Sequence, residues 1–486
     1  MKILFVTPEV APFAKAGGLA DVSRFLPAAL AARGHQVQVV TPYYLTTQTE
    51  AQNITRRPET FEVPVSWKRH HTEILRTENG NGVEVLFINC AELFAREGIY
   101  GNAFGDYEDN AERFIYFSRA AVEMCLALDL KPDVIHAHDW PCGLIPVYLK
   151  TLYQQAPALQ NTASVFTVHN MSSQGLFWHF DMPLTGLGWD LFHSEALEFF
   201  GKINLLKAGL VFADKITTVS PTYAAEILTP ELGFGLEGVI RSRQADLVPV
   251  LNGVDHRIWD PAEDPHLSCA FSAANPGGKE GCREHLRHIF KLDPQAGPMT
   301  VAFITRLVER KGLDLLQEAL DELLTLPVNL VVMGHGPDKY QTWLHDEARR
   351  RPGRLGVQIP YQESLAHQII AGADALLMPS RFEPCGLEQL YALRYGTLPI
   401  VRHTGGLKDT VHDVDEEPEQ ATGLVFKDYS AAALIGALQR AWGLFQNRPR
   451  WEQTMVRAMG QDFSWDLSAQ QYEQVYASAQ AAPRRR

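Results

Sequence analysis

The chain has 486 residues, with 44 basic and 57 acidic side chains, a formal charge of −13, and 46% hydrophobic residues. This length and composition suit an ordinary globular protein of more than one domain, each with its own core. The acidic balance argues against general binding to nucleic acid or anionic membrane, so an anionic ligand needs a local cluster of positive groups.

Residues 2–7 are a short apolar run of the buried-strand type, which Glu9 and Lys15 break too early for a secretory signal. After a turn at Gly17-Gly18, Val22, Phe25, Leu26, Ala29 and Leu30 recur at helical spacing, Gly34 closes that helix, and residues 37–41 form the next strand. Similar alternation continues through strands at 83–89, 134–137, 164–168 and 215–219. Asn252-Gly253-Val254-Asp255 and the Pro- and Asp-bearing stretch 260–265 suit a hinge or linker.

A second set of strands follows at 300–305, 330–333, 375–378 and 399–402, with Leu313, Leu316, Leu320 and Leu323 lining one helix face. Residues 465–479 read as a helix with Tyr472, Val475, Tyr476 and Ala479 on one side, and Arg484-Arg485-Arg486 as a frayed tail. Strands alternating with helices predict an α/β fold with parallel sheets covered on both faces. The six cysteines are scattered without a CxxC pair, which argues against a disulfide framework or a zinc site. No apolar stretch is long enough to span a bilayer. The expectation is a reduced, cytoplasmic protein.

Four clusters carry candidate chemistry. In Lys15-Ala16-Gly17-Gly18-Leu19-Ala20-Asp21, two glycines at a strand-to-helix junction let the backbone approach a ligand. The helix N-terminus and Lys15 then favour an anion, although a tight turn beside an exposed lysine would look the same. Arg306 ends a strand and Lys311 precedes the next helix, at the carboxyl edge where open α/β sheets bind ligands. A guanidinium and an ammonium so placed can hold a diphosphate, unless they are simply solvated cations.

In the segment 381–391, Pro384 and Gly386 shape the entry of a helix whose buried stripe is Leu387, Leu390 and Tyr391. Glu383 then projects from the preceding loop, to meet sugar hydroxyls or a positive reacting carbon, or else to stabilise its own helix. Thr404-Gly405-Gly406-Leu407 is another backbone-exposing turn. The last cluster is His136-Ala137-His138-Asp139-Trp140 with Thr167-Val168-His169-Asn170. His136 and His138 are expected on opposite faces of a strand, a poor metal pair, while His169 at a strand end is better placed for a ligand.

Taken together and in order, K-A-G-G-L-A-D-V, H-A-H-D-W, T-V-H-N, L-N-G-V-D, R-L-V-E-R-K-G-L-D, R-F-E-P-C-G-L, T-G-G-L-K-D-T-V and F-S-W-D-L-S-A resemble the bacterial glycogen synthase and plant starch synthase family over nearly the whole chain. The resemblance implies a GT-B fold, two Rossmann-like domains with parallel sheets facing a deep interdomain cleft. The domains would be residues 1–253, with a helix at about 464–480 packing back on them, and residues 254–463. The implied activity is retaining transfer of glucose from ADP-glucose to the non-reducing end of an α-1,4-glucan, with no cofactor and no metal.

Family roles carry over to Lys15, Gly17, Gly18, Asp21 and Asn252 at the donor. Arg306 and Lys311 would hold its diphosphate, and His169 would lie beside the transferred glucose. Glu383, Cys385, Gly386, Leu387, Thr404, Gly405 and Gly406 would line the sugar and phosphate pocket, and Tyr100, Asp139 and Asn170 the acceptor side of the cleft. Glu388 stands where the family commonly has Thr, and would repel a diphosphate unless it turns away or pairs with a cation. Pro141-Cys142 replaces a common His-Ala. Lys15 and the Arg306/Lys311 pair fall in different domains, so domain closure is expected to bring them to one ligand. The alternatives are a related retaining glucosyltransferase using UDP-glucose or a small acceptor, and a non-catalytic glucan- or nucleotide-sugar-binding protein.

Overall fold

The computed structural model describes residues 1–50, 53–78, 80, 82–102, 104–295 and 298–482. The expected tail at 484–486 lies outside the described residues. The chain divides into two compact units, Met1–Gly253 with Trp465–Arg486, and Val254–Ser464.

In the first unit the strands in chain order are β1 (Lys2–Val6), β2 (Gln36–Pro42), β3 (Thr55–Val65), β4 (Lys68–Glu78), β5 (Glu84–Asn89), β6 (Gly101–Asn102) and β7 (Gly105–Asp106). They continue with β8 (Val134–His138), β9 (Ala163–Val168), β10 (Leu176–Trp178), β11 (Glu198–Phe199), β12 (Lys202–Asn204), β13 (Lys215–Thr218) and β14 (Leu247–Pro249). The main sheet runs β14-β13-β9-β8-β1-β2-β5-β4-β3. Its centre is parallel and buried on both faces: every residue of β8 and β9 is buried, including His136, His138, Ser164 and Thr167.

The sheet is not wholly parallel. β3 pairs antiparallel with β4, and β4 with β5. Along both strands more and less exposed residues alternate with period two, so one face of this hairpin meets solvent, and helical crossovers are not needed to cover it.

In the second unit, β15 (Met299–Arg306), β16 (Val328–His335), β17 (Leu355–Gln358), β18 (Ala375–Met378), β19 (Leu398–Arg402) and β20 (Leu424–Phe426) form a parallel sheet in the order β17-β16-β15-β18-β19-β20. The helix Leu313–Leu323 buries Leu313, Leu316, Leu320 and Leu323 as their spacing predicts. The stretch expected to be a linker is instead packed. Trp259 lies between the rings of His367 and Tyr391, at centroid distances of 3.7 and 3.9 Å, and the buried Asp264 accepts from Tyr395 at 2.5 Å. Its Pro and Asp residues shape turns whose side chains are core partners, which composition alone does not reveal.

The helix Trp465–Ala481 belongs to the first unit and buries Trp465, Tyr472, Val475, Tyr476 and Ala479. Arg33 donates to its Asp466 and Glu473, at 3.0 and 2.9 Å.

Each sheet changes winding direction once, between β1 and β8 in the first unit and between β15 and β18 in the second. Parallel strands leave a crevice at their carboxyl ends where the connections diverge, and ligands bind there. In the first unit the loops after β1 and β8 carry Lys15 and Asp139, and the neighbouring β9 leads into His169. In the second they carry Lys311 and Glu383.

Candidate functional site

The loop after β1 is organised by a residue that local sequence did not mark. Glu9 is buried, and its Oε2 accepts the amides of both Ala16 and Gly17 at 2.8 Å. Its Oε1 accepts the Tyr100 hydroxyl at 2.7 Å. Burial, reinforced by the Glu9 charge, raises the Tyr100 phenol well above its usual range, so it remains a donor. The amides of Ala16 and Gly17, just before the helix that was expected to face an anion, therefore already hold the chain's own carboxylate. Gly18 occupies the cap position of the helix Leu19–Ala32, and the Lys15 ammonium lies 2.8 Å from Asp21 in its first turn. The lysine side chain is 41% exposed, so this pair is open to exchange for a stronger anion. The only sequence signal for Glu9 was a charge immediately after a buried strand.

At the ends of β8 and β9 three imidazoles meet. His136 and His138 are on the same face of β8, with ring centroids 4.0 Å apart, contrary to the expectation of opposite faces. Side chains alternate with period two, so residues i and i+2 share a face. His136 is tied to the Tyr476 hydroxyl at 2.9 Å and to Thr167 at 2.5 Å, a structural role. His138 Nδ1 lies 3.0 Å from His169 Nε2. Burial, with the neighbouring imidazoles, holds His136 and His138 well below the ordinary histidine value, and burial takes His169 down to about 3. All three rings are therefore neutral at physiological pH. Among the described residues no group of three or more His, Cys, Asp or Glu is arranged to hold a metal ion.

Asp139 has a positive φ of 56°, and its Oδ1 accepts the His169 amide at 2.7 Å. Burial pushes its carboxyl up to about 7, with the Glu9 charge adding to the shift against the backbone hydrogen bonds. Asn170 spends its Oδ1 on the amide and hydroxyl of Ser172, at 3.0 and 2.8 Å. Asn252 is buried in the turn after β14, and no hydrogen bond joins it to the other candidate residues.

In the second unit, Lys311 Nζ donates to Glu383 Oε2 at 2.5 Å, joining the loops on either side of the switch point. Ser380 donates to the same oxygen at 2.9 Å. Burial works to raise the Glu383 pKa, but Lys311, Arg310 and Ser380 together overcome it and hold the carboxyl below its ordinary value. Glu383 is only 6% exposed, so it is less projecting than its loop position predicts. Arg306, at the start of the same loop as Lys311, is exposed, and its side chain makes no hydrogen bond or ion pair with any described residue. Gly312 follows at φ 82°, where a Cβ would stand 2.3 Å from the Pro379 carbonyl oxygen, so only glycine brings the two loops this close.

Cys385 and Leu387 are buried, and Gly386 takes φ 75° beside Gln389, whose amide donates to the Cys385 carbonyl at 2.9 Å. Thr404 is buried, and Gly405 and Gly406 press on residues 383–385. A Cβ on Gly406 would lie 2.2 Å from the Cys385 carbonyl oxygen, and its amide donates to the carbonyls of Glu383 and Pro384. These glycines serve loop-on-loop packing, in addition to whatever backbone they expose. Glu388 turns onto its own helix, accepting the Leu387 amide at 3.3 Å, which draws its charge towards the backbone.

Residues 2–242 match the starch synthase catalytic domain family, and residues 286–452 match glycosyl transferases group 1. The chain is 47% identical over 484 residues to a glycogen synthase of Anaeromyxobacter sp. (strain Fw109-5), covering 99% of this chain and 100% of that one. It is 43% identical over 479 residues to a glycogen synthase of Koribacter versatilis (strain Ellin345), covering 99% and 98%. The solved catalytic domain of Starch Synthase IV from Arabidopsis thaliana, bound to ADP and acarbose, superposes with a TM-score of 0.92 at 33% identity, covering 99% of each chain. A sucrose-phosphate synthase from Thermosynechococcus elongatus, 18% identical with a TM-score of 0.62, shares the fold alone.

Proposed function

Because this chain belongs to the starch synthase and glycogen synthase family of GT-B glycosyltransferases, we propose that it transfers glucose from ADP-glucose to the non-reducing end of an α-1,4-glucan with retention of configuration. The observation that carries this reading is the buried Lys311–Glu383 pair spanning the second unit's switch point, in a loop that begins at the exposed Arg306.

Arg306 presents a planar fork that fits a phosphate through two parallel hydrogen bonds. Lys311 gives one of its three ammonium hydrogens to Glu383 and keeps two for phosphate oxygens. As the bond from the sugar's C1 to phosphate breaks, these cations offset the charge gathering on the departing ADP. The acceptor hydroxyl attacks C1 from the same face, and its proton passes to the leaving phosphate oxygen. Glu383 is ionised, and its Oε2 is engaged by two donors. This favours a fixed negative charge facing a carbon that turns positive over a nucleophile that must form a bond. Lys15 adds a further cation on the donor side, and His169, Tyr100 and Asp139 serve the sugar and acceptor. The transfer needs no metal, because cationic side chains do the work a divalent ion would do on the diphosphate.

Arg306→Ala tests this reading most cleanly, since the side chain bonds to no described residue. It is expected to lower turnover by about 10²–10³, the loss typical of one charge-stabilising donor, with an unchanged melting temperature. The assay is incorporation of radiolabelled glucose into glycogen from ADP-glucose, with UDP-glucose in parallel. Near-normal turnover in the variant removes the diphosphate clamp, and a preference for UDP-glucose moves the chain to the related donor class. Activity should survive exhaustive chelation; loss that magnesium restores overturns the metal-independent mechanism.

A further inference from the structure

We propose that His138 is a positioning residue that fixes the tautomer of His169, so that His169 presents an Nδ1–H donor to the sugar. The inference rests on the glucosyl-transfer reading for what that donor meets, but the tautomer itself follows from the geometry of two buried, neutral rings.

His138 is fully buried. Its ring is stacked on Phe5 at 4.0 Å and held against His136 at 4.0 Å, which fixes its plane. Its Nδ1 lies 3.0 Å from His169 Nε2, and its own Nε2 is buried without a hydrogen-bond partner among the described residues. Both imidazoles are neutral, so one proton lies between the facing nitrogens, and there are two ways to place it. If His169 Nε2 carried it, His138 would have to be protonated at Nε2, leaving a buried N–H unsatisfied. If His138 Nδ1 carries it, Nε2 is only a bare lone pair. An orphaned buried donor is rarer and costlier than an under-used acceptor. The proton therefore sits on His138 Nδ1, His169 Nε2 accepts it, and the remaining proton of His169 must be on Nδ1. The half-buried His169 ring thus offers a donor, suited to a sugar hydroxyl oxygen, and not a base. Asp139 fixes the other coordinate by accepting the His169 amide at 2.7 Å.

The test joins spectroscopy to kinetics on the full-length protein. In histidine-¹⁵N-labelled protein, long-range ¹H–¹⁵N correlation, with His169 assigned by its loss in His169→Gln, should show the Nδ1–H tautomer. His138→Phe, which keeps the ring and removes the donor, should shift His169 to Nε2–H or to a mixture. It should lower kcat about 10- to 100-fold, the range for losing an orienting partner, with the KM for ADP-glucose within about twofold. His138→Asn carries an amide near the position of Nδ1 and should recover most of the lost kcat. An Nε2–H tautomer in the unaltered protein overturns the proposal even if no variant folds. So does a folded His138→Phe that turns over at the normal rate. Absence of glucosyl transfer by the unaltered protein would instead overturn the functional reading and leave the tautomer assignment standing.

Discussion

Asp139 sits at the carboxyl end of β8, where burial and the Glu9 charge push its carboxyl up to about 7 from an ordinary value of 3.8. A carboxyl raised on folding binds its proton more tightly in the native state. Stability is therefore lost as pH rises from about 4 through 7, and the penalty is fully in place above that window. Asp139→Asn removes the charge and keeps an acceptor for the His169 amide. Its melting temperature relative to the parent should rise between pH 4 and pH 8, and a difference that does not change with pH would show that the group does not titrate there. Lys311 illustrates the opposite case. Removing it leaves Glu383 buried without its cation, which typically costs about 3–5 kcal/mol, so Lys311→Ala should lose both stability and turnover. Adding Glu383→Gln should recover stability in denaturant titration without restoring turnover. Recovery of turnover would contradict the roles given to both residues.

At the scale of elements, the turn 404–407 and the loop 383–385 behave as one unit because Gly405 and Gly406 lack side chains. Gly406→Ala places a methyl group 2.2 Å from the Cys385 carbonyl oxygen, and both partners are backbone, so relief requires moving a loop. We expect destabilisation of about 1–3 kcal/mol and a disproportionate fall in turnover, measured by denaturation and by the glucan assay. A change confined to stability would mean that loop geometry at residues 383–385 does not govern catalysis. Element type was legible wherever hydrophobic periodicity was strong, as in β1, β15 and the helix Leu313–Leu323. The β3–β4 hairpin was not legible, because the first half of β3, Thr-Arg-Arg-Pro-Glu-Thr, is polar throughout and carries no clean hydrophobic period. The two-residue spacing of His136 and His138 was legible too, once the pleat's period is applied correctly.

For the whole molecule, the second unit is one continuous stretch with its own core, whereas the first needs the helix Trp465–Ala481 from the far end of the chain. A fragment covering residues 254–464 should therefore fold cooperatively on its own. A fragment ending at residue 253 should expose the apolar surface that Tyr472, Val475 and Tyr476 cover, and should be far more sensitive to proteolysis than the same unit with the helix supplied. Equal protease resistance of the two would mean that the helix contributes little to that core.

What the amino-acid order determined by itself is local: which runs are strands or helices, where glycines break them, and which cations and carboxylates follow a strand end. Those features depend on backbone sterics and side-chain period over a few residues, and with the ordered motifs they suffice to mark Arg306, Lys311, Glu383 and His169. Only the tertiary structure decided which groups meet. Glu9 finds the amides of Ala16 and Gly17 and the hydroxyl of Tyr100, and Lys311 finds Glu383 across 72 positions of chain. His138 meets His169 through the pairing of β8 with β9. Such pairings arise from strand order and burial, which lower the dielectric and make an unsatisfied polar group costly, and no local window of sequence contains that information.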